Sequence, residues 1–146
     1  MFYDEITRVT AQMSHDFPEL SFEYLFINDG SKDNTLPILR SLADRDKRVR
    51  YISFSRNFGK ESGMYAGRKN AKGDYVVVMD ADLQHPPAFL PQMYSYVRTG
   101  EYDCATTRRV SRDGESKVRS WFARLFYKIM NKISQTEIVD GAQDFR

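Results

Sequence analysis

The stretch Gly73-Asp74-Tyr75-Val76-Val77-Val78-Met79-Asp80-Ala81-Asp82-Leu83-Gln84-His85-Pro86-Pro87 lies near the middle of the chain. Its apolar half is rich in β-branched residues and is bounded by a glycine at one end and a proline pair at the other, which predicts a strand buried on both faces. Asp80 and Asp82 close it. Two residues apart, they share a face on a continuing strand, and on a loop leaving that strand they can converge on one hard cation.

Outward from this stretch, helical and strand patterns alternate. Phe2, Ile6, Val9 and Met13 recur at helical spacing, predicting a first helix, and Pro18 interrupts it. Phe22-Glu23-Tyr24-Leu25-Phe26-Ile27 reads as a strand that stops at Asn28-Asp29-Gly30-Ser31. Ser31, Asp33 and Thr35 are candidate N-caps for a helix to about Ala43, with Pro37 in its first turn. Val49 to Phe54 is a second strand. A polar loop, Ser55-Arg56-Asn57-Phe58-Gly59-Lys60-Glu61, then leads into a helix to about Asn70, where Gly63 and Gly67 suit close packing of helix on sheet. Beyond the central stretch come a helix from about Pro87 to Arg98 and a strand from Tyr102 to Thr107. The order β-α-β-α-β-α-β predicts an α/β fold, a mostly parallel sheet covered by helices. Such sheets bind ligands at the carboxyl ends of their strands, where Asp29, Arg56, Asp80, Asp82 and Arg108 all fall.

From Ser116 to Ile133 the apolar residues Val118, Trp121, Phe122, Leu125, Phe126, Ile129, Met130 and Ile133 form one wide stripe, flanked by Lys117, Arg124, Lys128 and Lys132. This basic amphipathic helix suits either a membrane interface or an ordinary core-facing position. A short strand, Glu137 to Val139, and a turn end the sequence.

The 146 residues suffice for one domain with a real core, and 41% hydrophobic with 29% charged residues is a globular composition. The formal charge of +2 gives no general argument for nucleic acid as a partner. A single cysteine, Cys104, excludes an internal disulfide and a cysteine zinc site; a small buried strand residue is the ordinary reading of it. No apolar run approaches the ~20 residues of a membrane span, and no signal-peptide core opens the chain, so as given it reads as soluble or peripheral.

An Asp-x-Asp at a strand end admits several chemistries. A haloacid-dehalogenase-type phosphatase expects Thr or Val two residues beyond the second carboxylate, where this chain has Gln84. A P-loop fails around Gly59-Lys60, because Phe54 stands in place of the first glycine and Glu61 follows the lysine. No Gly-x-Gly-x-x-Gly occurs. A metal-dependent transferase acting on a nucleotide diphosphate remains. There a divalent ion takes up charge on the leaving diphosphate, Asp80 and Asp82 hold it, and Arg56 and Lys60 add positive charge near the phosphates.

Four stretches together, Phe26 to Thr35, Ser55 to Glu61, Asp80 to Pro87 and Asp140-Gly141-Ala142-Gln143-Asp144-Phe145-Arg146, resemble the successive motifs of family 2 glycosyltransferases. They are most similar to the branch of dolichol-phosphate mannose synthases and bactoprenol glucosyltransferases. The resemblance covers nearly the whole chain and implies a GT-A, Rossmann-like fold. It implies inverting transfer of a hexose from a UDP- or GDP-sugar to a polyprenyl phosphate at the cytoplasmic face of a membrane, with the full-length protein anchored there. Carried over by motif, Asp29, Gly30, Ser31, Arg56, Lys60 and Asp80 line the nucleotide-sugar site, with Asp29 on the base or ribose. Asp80, Asp82 and Gln84 hold Mg²⁺ or Mn²⁺, Arg108 meets a phosphate, and Asp144 stands at the position of the catalytic carboxylate. A phosphate monoester with a second pKa of about 6 is already largely an anion at neutral pH, so Asp144 is an orienting or electrostatic group first and a base second. A lipid-linked acceptor also favours the interfacial reading of the helix from Ser116.

Family members open with a further strand that carries part of the nucleotide pocket, and they continue past the Asp-Phe-Arg motif, in this branch usually into transmembrane helices. Residues 1–146 thus read as one partial catalytic domain whose sheet lacks its first strand. A parallel sheet without a central strand leaves backbone groups unpaired, so recruitment of a strand from a second copy, and with it a homo-oligomer, is one expectation. Transfer to a polysaccharide and a non-catalytic fragment are the alternatives to a lipid-phosphate acceptor.

Overall fold

Two of the expected strands pair directly. In the computed structural model, which describes residues 1–107, β1 (Tyr24–Asn28) and β2 (Val49–Ser53) run parallel, with Tyr24 opposite Val49 and Asn28 opposite Ser53. Parallel neighbours need a crossover, and α2 (Thr35–Arg45) supplies it. α1 (Phe2–Asp16) precedes β1 and α3 (Lys60–Asn70) follows β2. The alternation is that of an α/β fold.

Side chains alternate along β1, so Tyr24 and Phe26 face one side and Ile27 the other. α1 covers the first side with the stripe that its spacing predicts: Ile6, Val9, Thr10 and Met13 are buried. The Tyr24 hydroxyl and Thr10 Oγ1 share a buried hydrogen bond of 2.6 Å, and Phe2 meets Phe26 edge to face at 6.4 Å. α3 covers the second side. Gly63 and Gly67 face Ile27, and a Cβ on either would stand 3.4 or 3.6 Å from its side chain, an ordinary van der Waals contact, so the packing does not itself require glycine there. α2 packs on both strands and buries Leu39 and Leu42.

Polar ties fix the amino ends of the strands. Glu23 accepts from the Lys72 amide and pairs with Arg50 at 2.7 Å, and Arg50 also donates to the Asn70 carbonyl at 3.2 Å. The Lys72 amide, with Arg50 adding to it, holds the Glu23 carboxyl below its usual range. Between α2 and β2, Asp46 accepts from Arg48 at 2.8 Å and from the Tyr3 hydroxyl at 2.6 Å, while the Arg48 guanidinium lies over the Tyr24 ring at 5.2 Å. This one carboxylate joins α1 to the turn before β2.

The central stretch departs from expectation. Residues 73–80 form no strand, and Tyr75, Val76 and Val77 are about half exposed, at 53%, 45% and 45%. A strand exists only through a neighbour's backbone, and among the described residues β1 pairs with β2 alone. The strand expected at Tyr102 to Thr107 is also absent, and Cys104 is exposed rather than buried, for the same reason. The helix expected from Pro87 begins as a 3-10 turn, Pro87–Phe89, and continues as α4 (Leu90–Val97). The first residue before α2 is Asn34, without a side-chain cap, although Asp33 accepts from the Thr35 amide at 3.0 Å.

The chain divides into two compact units, Met1–Ala88 and a second that begins at Phe89. In the second, α4 buries Leu90 and Met93, and Tyr96 meets Tyr102 edge to face at 6.2 Å. Among the described residues no helix is long and apolar enough to cross a membrane. The basic helix from Ser116 and the strand near Val139 lie outside the described residues.

Arg48 first, and the Tyr3 hydroxyl next, hold the Asp46 carboxyl far below the usual carboxylate range. A folded pKa below the unfolded value of ~3.9 means that the group stabilises the fold above about pH 4 and loses that contribution as pH falls further. Asp46→Asn therefore lowers the melting temperature at pH 7, and its gap to the unsubstituted chain closes as the pH drops below about 4 in thermal melts followed by circular dichroism.

Candidate functional site

The carboxyl ends of β1 and β2 carry two loops that are tied to each other. Asn28, the last residue of β1, is buried at 3% exposure. Its amide donates to Ser53 Oγ at 3.0 Å, its side-chain oxygen accepts from the Ser31 amide at 3.1 Å, and its carbonyl accepts from the Phe54 amide at 2.9 Å. It fixes the departure of both loops. The sequence reading gave Asn28 no role of its own; a polar residue in the last position of an apolar strand was the available signal.

Asp29 follows and faces the second loop. Its Oδ1 accepts from the Phe58 amide at 2.7 Å and its Oδ2 from the Gly59 amide at 2.9 Å. Gly59 is the residue that caps α3, so the carboxylate of the residue just after β1 satisfies a donor at the start of that helix. Gly30 makes the approach feasible. Its φ is +72°, and a Cβ there would run into the backbone of Arg56 and Asn57. Ser31 is exposed beside it.

The second loop presents cations. The Arg56 guanidinium lies 4.5 Å over the Phe58 ring, which is itself edge to face with Phe54 at 5.6 Å. Lys60, the first residue of α3, places its Nζ 3.0 Å from Asp80 Oδ2. Two residues on, Asp82 Oδ1 accepts from the Gln84 amide at 2.9 Å, a tight turn in which Leu83 takes a φ of +63°. That left-handed conformation is costly for leucine, and strain of this kind gathers at functional loops. His85 and Pro87 behind the turn are buried.

Of the residues singled out from sequence, Asp29, Gly30, Arg56, Lys60 and Asp80 are thus joined by direct contacts or close packing, and Asp82 and Gln84 follow on Asp80's own turn. Asp29 has both carboxylate oxygens on backbone amides rather than turned to open solvent. Arg108 and Asp144 lie outside the described residues. A groove along α2, lined by Asn34, Pro37, Ile38, Ser41 and Arg45, contains none of these groups.

The donor set suits a hard cation. Asp80 and Asp82 are at least partly exposed, and each carboxylate has one oxygen outside any hydrogen bond among the described residues. Among those residues no group of three His, Cys, Asp or Glu side chains is placed to hold a metal ion. Two carboxylates and a side-chain amide on one turn, Asp80, Asp82 and Gln84, are oxygen donors of the kind that Mg²⁺ takes.

The family model of glycosyl transferase family 2 matches residues 3–146. The chain belongs to glycosyltransferase family 2. CsbB of Bacillus subtilis (strain 168), which carries a glycosyltransferase name, is 43% identical over 140 residues, 94% of this chain and 42% of that protein. The "Prophage bactoprenol glucosyl transferase homolog" of Escherichia coli (strain K12) is 40% identical over 146 residues, 98% of this chain and 47% of its own length. The "Bactoprenol glucosyl transferase" of Shigella phage SfV is 38% identical over the same shares. The chain spans less than half the length of these relatives. As a family 2 member, it has an α/β architecture of the GT-A kind.

Gly30→Ala tests the tie between the two loops. Both the positive φ and the contact with the Arg56 backbone oppose a side chain, so we expect a loss of about 1–3 kcal/mol in urea unfolding, well beyond an ordinary surface substitution. Gly100→Ala, also at positive φ (+73°) but with nothing within 4 Å of the added Cβ, separates the backbone cost from the clash.

Proposed function

We propose that this chain carries the donor-binding half of a glycosyltransferase that moves a hexose from a UDP- or GDP-sugar to a polyprenyl phosphate at a membrane surface. The observation that carries this reading is the single contact chain running from Asp29 through the Phe58 and Gly59 amides and Lys60 to Asp80. It draws three of the four motif stretches to one end of the sheet, where α/β sheets bind their ligands. The names of the bactoprenol relatives support the acceptor class.

In this reading Asp80, Asp82 and Gln84 hold Mg²⁺ or Mn²⁺, which when bound takes up charge on the leaving diphosphate. Arg56, braced on Phe58, adds a fixed cation at the mouth of the site. Asp29 acts through the loop: by fixing the Phe58 and Gly59 amides it holds Arg56 and Lys60 on the same side as the carboxylates. Arg108 meets acceptor or donor phosphate and Asp144 orients the acceptor, both assigned by motif. An acceptor phosphate that is already anionic attacks without a strong base, and attack opposite the leaving diphosphate inverts the anomeric centre. The basic amphipathic pattern of the sequence from Ser116, outside the described residues, suits the lipid surface in which such an acceptor resides.

Calorimetry with UDP and with GDP in the presence of Mn²⁺ tests the donor half. Heat is expected for one of the two nucleotides, and Asp82→Ala reduces that affinity at least tenfold, about 1.4 kcal/mol. A folded chain that binds neither nucleotide overturns the reading. A transfer assay pairing nucleotide sugars with a short polyprenyl phosphate, run on this chain and on a version extended at both ends, then tests the acceptor.

A further inference from the structure

Lys60 occupies an unusual place for a lysine. As the first residue of α3 it sits at the positive end of the helix, where acidic residues are favoured and a cation is disfavoured. Helix stability therefore does not explain it. Its Nζ instead crosses to Asp80, twenty residues away in sequence, at 3.0 Å. Both partners are open to solvent, with side-chain exposures of 47% and 44%. Exposed pairs of this kind are weak and exchange readily, so the contact is a poor staple for the fold. Its other consequence is electrostatic: it neutralises one of the two carboxylates offered to a cation.

We propose that Lys60 is a placeholder cation, holding Asp80 Oδ2 until a divalent ion arrives and then turning its ammonium group to the diphosphate of the donor. The proposal rests on the reading of Asp80 and Asp82 as metal ligands. Charge balance motivates it. Arg56 and Lys60 against Asp29, Asp80 and Asp82 leave one net negative charge among these groups, and a divalent ion turns that into one net positive charge, ready for an anionic diphosphate. The ion and Lys60 compete for the same carboxylate, and a lysine ammonium beside a bound divalent ion is repelled by it. Lysine's flexible four-carbon stem permits the exchange, whereas the nearby Arg56, stacked on Phe58, is held in place. Ion and nucleotide thereby favour each other: the ion releases Lys60, and the released ammonium binds the phosphates.

Mn²⁺ titration of the 146-residue chain, read by electron paramagnetic resonance, tests this without any turnover. Without nucleotide, Lys60→Met and Lys60→Gln bind Mn²⁺ roughly three- to tenfold tighter than the unsubstituted chain, and raising the salt concentration narrows the difference. Lys60→Arg, which keeps the charge, stays near the unsubstituted affinity. With saturating Mn²⁺ the order reverses for nucleotide, and Lys60→Met binds UDP or GDP more weakly than the unsubstituted chain. Mn²⁺ affinity that falls with Asp80→Asn but is unchanged or weaker in both Lys60→Met and Lys60→Gln overturns the placeholder role alone. Affinity indifferent to Asp80→Asn and Asp82→Ala overturns the metal reading, and the placeholder role with it.

Discussion

The Asp29 carboxylate, holding the amides of Phe58 and Gly59, is the interaction on which the rest of the site depends. Hydrogen bonds from backbone amides to an ionised acceptor are stronger than neutral ones, and here both oxygens of one side chain are used on consecutive amides. The geometry leaves little freedom. It fixes the cap of α3, and so the direction in which Lys60 leaves the helix. It also fixes Phe58, the ring on which Arg56 rests. Gly30 is the backbone condition for this contact, and the buried Asn28 is the anchor beneath it. Three consecutive residues at the end of an apolar strand, Asn28, Asp29 and Gly30, thus convert strand pairing into loop position.

The arrangement also separates rigid charges from exchangeable ones. Arg56 is braced by an aromatic ring, whereas Lys60 and Asp80 meet in solvent, where an ion pair contributes little to stability. A site that binds a divalent ion and a diphosphate together must change its charge state on loading, and the weak contact is where such a change is cheapest. Asp46 shows the contrast. Its bonds to Arg48 and Tyr3 join α1 to the turn before β2, far along the sheet from the loops, and they serve the fold alone.

Sequence pattern was informative wherever it met a neighbour within reach. The stripe of Ile6, Val9 and Met13 and the strands near Tyr24 and Val49 were legible because helix and strand bury one another locally. The glycine pair of α3 was legible as the face turned to β1, but the spacing overstated how close the helix comes, since a Cβ would meet Ile27 only in ordinary contact. The site was legible as a set of motif residues, but not as a set of contacts: nothing in the spacing said that Asp29 would spend its carboxylate on two amides or that Lys60 would reach Asp80. Cys104 and the run from Tyr75 to Val78 were misread for one reason. β-branched composition reports a preference for extended backbone, and burial requires a second strand that composition cannot supply.

The central stretch nevertheless brings Asp80 to the carboxyl end of β1 and β2, beside the start of α3. Its start is tied at Lys72 to Glu23, immediately before β1, and its end is tied at Asp80 to Lys60, immediately after the loop that Asp29 holds. A segment pinned at those two points must run from the amino end of β1 toward its carboxyl end, in the direction of the parallel strands. Residues 73–80 thus follow the direction of the parallel strands without a ladder along their length, tied at the start by Glu23 and met at the end by Lys60 only through an exchangeable ion pair. Strand pairing would add burial for Tyr75, Val76 and Val77 and restrict the motion of the segment, but it would not be needed to aim Asp80. What the proposed site requires of residues 73–80 is an end point at Asp80, and they reach it although the predicted strand does not form.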